Sequence, residues 1–394
     1  MSESLSLADV VEMLDGRYPP HTAEEWDAVG LVAGDPAAAV RRVLFAVDPV
    51  LDVVAEAEEH DADLVVTHHP LYLRGTTSVA ATQPKGEVIH RLIRANCGLY
   101  TAHTNADVAA GGVNDALADL FHLEERSPVR AHDAAGLDSW VTYVPASDLD
   151  AVIDAMAAAG AGRLGNYERC AFTSSGHGTF LPIGEAQPTI GEVGSRTLTP
   201  EERLEMVAPP ELRAQVLAAL RASHPYEEPA FTVVTHAAQP ASTGLGRIGT
   251  LPQPMTLRDF ARRAAEVLPS TPQGIRVSGD LDAEVSRVAV CGGSGDSLLA
   301  TAAALGADVY LTADLRHHPA SESRERGRPY LVDATHWASE WPWLPVAAEH
   351  LRSEAAARGA RLEVIVSTAV TDPWTTMLRS SDNGLSVTND GAAL

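Results

Sequence analysis

Two stretches at opposite ends of the chain carry the same residues at the same spacing, and this constrains the fold more than any other feature. Val43 in RRVLFAVD and Val288 in SRVAVCGGSGD each stand twenty positions before an aspartate, Asp63 or Asp308, that follows an alanine. Each aspartate stands four positions before a threonine, Thr67 or Thr312. A third apolar run in each half then ends in a histidine with an acid four residues on, His103 with Asp107 and His336 with Glu340. Short apolar runs alternating with amphipathic helical patterns are the grammar of βαβ units on a largely parallel sheet. An α/β fold with a duplicated core formed by both ends of the chain is the expectation.

In the first half, strands are expected over RRVLFAVD, DLVVTHHP and GLYTAHTNAD, with helices over 50–60 and GEVIHRLIRAN. In the second, they are expected over SRVAVCGGSGD, DVYLTADLRHHP and PYLVDATHWASE, with a helix through 298–305. The region between reads differently. SWVTYVP is a strand, DLDAVIDAMAAAG a helix stopped by Gly160, YERCAFTS and GHGTFLP two extended pieces, ERLEMVAP extended, PPELRAQVLAALRASH a helix opened by proline, and AFTVVTH a strand. That is the order of a ferredoxin-like α+β domain enlarged by a hairpin, inserted into the outer one. At 394 residues and 45% hydrophobic content the chain suits two cores. The expected division is 1–127 with 241–376, then 128–240 as the insert, then a flexible polar tail over 377–394.

Strand ends are where such folds gather polar groups, because the interiors are apolar and the loops are free. Four strand ends here carry them: His68 and His69; His103 with Asp107; Asp314 with His317 and His318; and His336 with Glu340. A spacing of four puts each histidine–acid pair on one helical face. Imidazole and carboxylate suit zinc, manganese, iron, cobalt or nickel. With this many groups, two divalent ions about 3.5 to 4 Å apart, activating a water between them, use the set better than one, and hydrolysis is the matching reaction class. The ordinary alternatives are a strand that splays His68 and His69 to opposite faces, and surface helix pairs at i and i+4. Pro70, which ends the DLVVTHHP strand, and the buried strands that precede both pairs favour the metal reading. Among the remaining groups, His317 is expected in solvent, and His318 beside the substrate or behind a ligand. Trp337, Trp341 and Trp343 read as core or interface aromatics.

Several classes are disfavoured. A net charge of −24, with no basic run, argues against nucleic acid. No apolar stretch approaches the roughly 20 residues of a membrane span, and the acidic MSESLSLADVVEML is unlike a signal peptide, so a cytoplasmic location is expected. Cys97, Cys170 and Cys291 are odd in number and far apart, which suits neither a disulfide framework nor a thiolate zinc site. GLGRIG matches a dinucleotide-binding fingerprint letter for letter, but no clear strand feeds it and LPQP follows where a helix is needed. The CGGSGD turn leads a strand into a helix, with some capacity for an anion.

TAEEWDAVGLVAG, the strand ending in THHP, AHTNADVAAGGVND, LTADLRHHP and VDATHWASE together resemble, in order, the motifs of the GTP cyclohydrolase I type 2 homologue family. GAGRLGNYERCAF, GHGTF and HPYEEPA resemble the PII-like or CutA-like insertion of its long members. The resemblance implies a dinuclear metal centre in a homohexamer, with His68 and His336 on one ion, His69 and Asp107 on the other, and Glu340 bridging. It places His103 beside the pair, as support or as a proton-transfer group. Ala28 departs from the family's asparagine, and Ala313 and Thr335 from its glycines; none removes a ligand. The family name implies ring-opening hydrolysis of GTP, yet the chain has no Walker motif or guanine-reading NKxD. A metal-dependent hydrolase acting on a nucleotide or small phosphoester is the first expectation. A non-catalytic metal-binding regulatory or trafficking protein, whose insert senses a ligand or partner, is the second.

Overall fold

The computed structural model describes residues 5–134, 136–237 and 239–378. The tail expected over 377–394 lies, but for its first two residues, outside them. The chain forms two compact units. One is built from both ends, up to His132 and from Ser242 onward; the other is Asp133–Ala241.

Two large sheets organise the first unit. In one, Glu363–Val366, Arg42–Ala46, Leu64–Thr67 and Gly98–Thr101 run parallel, and Gly30–Ala33 adds antiparallel at the edge. In the other, Glu284–Ser294, Val309–Ala313 and Tyr330–Ala334 run parallel, flanked by antiparallel Arg247–Thr256 and Glu124–Ser127 on one side and Arg276–Ser278 on the other. Each sheet borrows a strand from the opposite end of the chain: Glu363–Val366 joins the first, and Glu124–Ser127 the second. The central strands are apolar without alternation because they are covered on both faces, as every residue of Leu64–Thr67, Gly98–Thr101 and Val309–Ala313 is buried.

The twenty-residue spacing has a physical cause. Asp63 immediately precedes the second strand of its half, and its Oδ2 accepts the amides of Arg41 and Arg42 at 2.7 and 2.9 Å, holding the chain near the start of the first strand. Asp308 repeats this in the other sheet, where its Oδ2 accepts the amides of Ser286 and Arg287 at 2.9 and 2.8 Å. Register follows, with Val43 opposite Leu64 and Val288 opposite Val309.

The core beneath the first sheet carries the tryptophans. Trp343 is fully buried, stands edge-on to Phe45, and donates its indole N–H to the Tyr18 hydroxyl at 3.0 Å. Trp337 is buried beside it, and Trp341 packs against the same cluster while donating to the Ser367 carbonyl. GLGRIG spans the junction of two strands, Gln239–Leu245 and Arg247–Thr256, with only Gly246 between them, so the strand–turn–helix context of a dinucleotide site is absent. Its buried Arg247 clasps the Asp115 carboxylate at 2.7 and 3.0 Å and the Ala109 carbonyl, tying this segment to the AHTNADVAAGGVND loop. Among the described residues no helix is long and apolar enough to cross a membrane.

The second unit is an antiparallel sheet in the order Ala171–Phe180, Thr197–Ala208, Asp138–Val144, Phe231–Thr235. Helices Leu149–Ala158 and Arg213–Ser223 contribute Val152, Met156, Val216 and Leu220 to its core, against Trp140, Leu204 and Met206. The two extended pieces expected here are one ten-residue strand, Ala171–Phe180, paired with Thr197–Ala208 along its whole length, so the extra hairpin does not form. The intervening glycines do not break it. Gly178 makes room for Glu201, whose Oε2 would lie 2.1 Å from any added Cβ.

Candidate metal centre

The strand ends of the first unit bring their histidines together. His68 and His69 follow Leu64–Thr67 directly and stay bonded alongside the neighbouring strand, through amides to the carbonyls of Ala46 and Val47. His103 immediately precedes the short helix Thr104–Val108, which carries Asp107. His336 and Glu340 are the first and last residues of the helix His336–Glu340. Two overlapping groups result, with His69 common to both: His68, His69 and His103, and His69, His336 and Glu340. Within each, ligand atoms lie within 4.8 Å of one another.

All four rings are oriented from behind. The Nδ1 of His68 donates to the Ala102 carbonyl at 2.9 Å. Those of His69, His103 and His336 face Asp48, Asp27 and Asp314 at 2.7, 2.8 and 2.6 Å. A carbonyl or carboxylate can only accept, so each Nδ1 carries the proton, and each neutral ring is left with its Nε2 lone pair free. Those of His68, His69 and His336 meet Glu340. The distances are 3.5 Å from His68 to Oε1, 3.1 Å from His69 to Oε2 and 2.9 Å from His336 to Oε1. Asp107 Oδ1 lies 3.8 Å from the same atom of His68, and the Nε2 atoms of His69 and His336 are 3.2 Å apart. Of the two histidine–acid pairs at i and i+4, only His336 with Glu340 meets directly; the Nδ1 of His103 is turned to Asp27.

Burial makes the cluster's charge matter. Desolvation works to raise the Glu340 carboxyl, but the charges of His69, His336 and His68 outweigh it and hold the group well below the usual carboxylate range. For His69, burial opposes the charged form, yet Glu340 and Asp48 raise it to about 10. Glu340 and then Asp314 raise His336 to about 11 against burial. Asp107 goes the other way, pushed up to about 7 by burial and by the charge of Glu340. The acids therefore need positive charge beside them, and protons on the imidazoles supply it when nothing else does.

Donor atoms at the centre lack partners. His68 Nε2, Asp107 Oδ1 and Glu340 Oε2 are all buried without a hydrogen bond, and all three point into the cluster. Orphaned buried polar atoms are rare unless they serve another partner. Three facing one another, on nitrogen and oxygen donors held from behind, fit a divalent cation. Gly293, with a positive φ of 64°, passes so close that a Cβ would lie 2.3 Å from Glu340 Oε1. This gives the CGGSGD turn a packing reason for its glycine.

His318 stands elsewhere. It is exposed in the first turn of the helix His317–Glu325, its ring 5.2 Å from that of His317, and belongs to neither group. The supporting acids Asp27, Asp48 and Asp314 were not singled out for that role from the sequence, although each ends a strand or sits in a quoted motif. A cavity of about 520 Å³ opens onto the cluster, lined by His69, His103 and His336 together with Lys85, Thr335, Trp337 and Trp374.

Comparison with known proteins agrees with this architecture. Residues 5–373 match the family model Duf34/NIF3 (NGG1p interacting factor 3). The chain is 51% identical over 374 residues to the GTP cyclohydrolase 1 type 2 homolog of Mycobacterium tuberculosis, covering 94% of this chain and 97% of that one. Among solved structures, a Bacillus cereus protein related to NIF3 aligns with TM-score 0.76 at 34% identity, covering 95% of this chain and 100% of that one. A Staphylococcus aureus protein aligns with TM-score 0.82 at 30% identity, covering 95% and 99%. With the family model matched from the first described strand to beyond the last, this chain belongs to the Duf34/NIF3 family, whose curated relatives carry the name GTP cyclohydrolase 1 type 2 homolog.

Proposed function

We propose that this protein binds two divalent metal ions through His68, His69, Asp107, His336 and Glu340, and uses them to hydrolyse a nucleotide or another small phosphoester. The observation that carries the reading is the uniform orientation of the four imidazoles, with each Nδ1 held by an acceptor and the Nε2 of three of them facing Glu340. Zinc, manganese, iron, cobalt and nickel all suit these donors. Two such cations would activate a water and stabilise charge building on the substrate. The chain's own residues do the rest. Glu340 presents both oxygens to the cluster and suits a bridging role. In this reading His68 and His336 serve one ion and His69 and Asp107 the other, the approach of His69 to His336 at 3.2 Å bringing the two sets together. His103, fixed by Asp27 with its ring 5.2 Å from that of His68, is the better placed of two histidines proposed to move the proton. The exposed His318 is the second.

The same reading includes a duplicated α/β scaffold, supported by the matching contacts of Asp63 and Asp308. It also includes a ferredoxin-like insert, supported by its strand order, and homohexameric assembly in the cytoplasm without nucleic-acid or membrane partners. A second reading, a metal-binding regulatory or trafficking protein without turnover, is favoured by one observation. The second unit has a cavity of its own, of about 730 Å³, lined by Tyr143, Glu201, Arg203 and Tyr226 among others. The test is metal-loaded protein incubated with GTP and a phosphoester panel, beside the double variant His68→Ala, Glu340→Ala. Turnover that the double variant lacks supports a hydrolase; no turnover with any of the five metals favours the second reading.

A further inference from the structure

The chain holds 29 lysines and arginines together, and Lys85 is its only lysine. Wherever else a cation serves an ion pair or the surface, arginine fills the place. The lone lysine lies at the mouth of the histidine–acid cluster, lining the same cavity of about 520 Å³ as His69, His103 and His336, and an adjoining one with Asp48 and Pro70.

Its position is not explained by stability. Lys85 sits in the first turn of the helix Pro84–Arg94, where the helix dipole disfavours a cation. It forms no ion pair among the described residues, and its contact is a cation–π approach with Nζ 5.8 Å from the Tyr72 ring centroid. Imidazoles aside, it is the one cation lining the cavity, whose acids are engaged elsewhere. Asp48 holds His69, Asp314 holds His336, and Asp372 accepts the Trp374 amide. A lysine ammonium is a compact point charge on a flexible stem, suited to a phosphate that changes position during reaction, whereas a guanidinium demands a fixed planar geometry.

We propose that Lys85 is a specificity-determining residue, holding a phosphate of the substrate away from the bond that reacts at the histidine–acid cluster. This rests on the metal-centre reading above. Lys85 supplies hydrogen bonds and charge only, and no covalent bond forms to it. The exposed Trp374 and the buried Trp337 line the same cavity and offer an apolar surface for a planar ring, so a nucleotide meets both requirements.

The test uses full-length, metal-loaded protein with metal content assayed separately. Guanosine monophosphate and guanosine are titrated calorimetrically into wild type, K85Q and K85R. Wild type is expected to bind the monophosphate at least about tenfold more tightly than the nucleoside, the size of a charge-assisted contact. K85Q should erase that ratio while keeping wild-type metal content, and K85R should restore part of it. A ratio unchanged in K85Q at equal metal content overturns the proposal, as does a wild type that does not discriminate. Absence of metal with Lys85-dependent discrimination intact would instead refute the metal centre and leave the anchor standing.

Discussion

Each end of the chain lays three consecutive strands in parallel, and the two equip their strand ends differently. The first half brings three histidines and an aspartate to its strand ends; the second brings one histidine and the glutamate that three of the histidines share. Their acids also differ in kind. Glu340 is 4% exposed in its side chain and faces three imidazoles, whereas Asp107 is 16% exposed and approaches only His68, at 3.8 Å. The same scaffold therefore yields a central acid on one side and a peripheral one on the other. The strand-start aspartates, by contrast, are alike in both halves. The halves differ at the strand ends and agree in the aspartate–amide contact near the strand starts.

The largest effect expected from this asymmetry is at the acids. Glu340→Gln removes the charge that three rings share and should abolish metal retention through purification, whereas Asp107→Asn should weaken affinity by about 10- to 100-fold, within the range seen when groups supporting a metal site are lost. Metal titration of both variants checks this. Equal losses would break the distinction between central and peripheral acid.

Metal removal sharpens the comparison through pH. Between about pH 4 and 7 the raised Asp107 holds a proton in the folded chain that the unfolded chain has released, so its contribution to stability falls as pH rises. His69 and His336 are raised as well. Their contribution is complete below the unfolded value of 6.5 and is lost as pH rises through about 10 and 11. Metal affinity runs the other way, because the ligands must lose protons to bind. The gain in melting temperature on adding metal to chelator-treated protein should therefore grow from pH 5.5 to 8. A gain that shrinks would show that the cluster is a proton store and not a metal site.

The smallest effect concerns the likeness of the halves. Asp63→Asn and Asp308→Asn each weaken two charged hydrogen bonds to backbone amides and should each cost about 1–3 kcal/mol, with metal content intact. Denaturant unfolding checks it; a loss in one half alone would break the equivalence.

Much of the first unit was legible because its strands are continuous apolar runs and its histidines stand at their ends. The repeated spacing from Val43 to Asp63 and from Val288 to Asp308 marks two βαβ units of one length. Less legible were contacts between residues distant in sequence. Nothing in the spacing of Asp27 from His103, or of Asp314 from His336, marks one as the other's support, since those distances are set by tertiary packing. The sequence suggests two extended pieces where the single strand Ala171–Phe180 forms, and the space Gly178 provides for Glu201 is visible only in three dimensions.

The central claim is that the two ends of the chain share a pair of cations. Its most direct test is elemental analysis of protein purified without chelator, expressed as metal per chain, for wild type and Glu340→Gln. Two divalent ions per wild-type chain are expected, and none retained by the variant. Fewer than one ion in the wild type under supplementation with each of the five candidate metals, or undiminished content in Glu340→Gln, would contradict it.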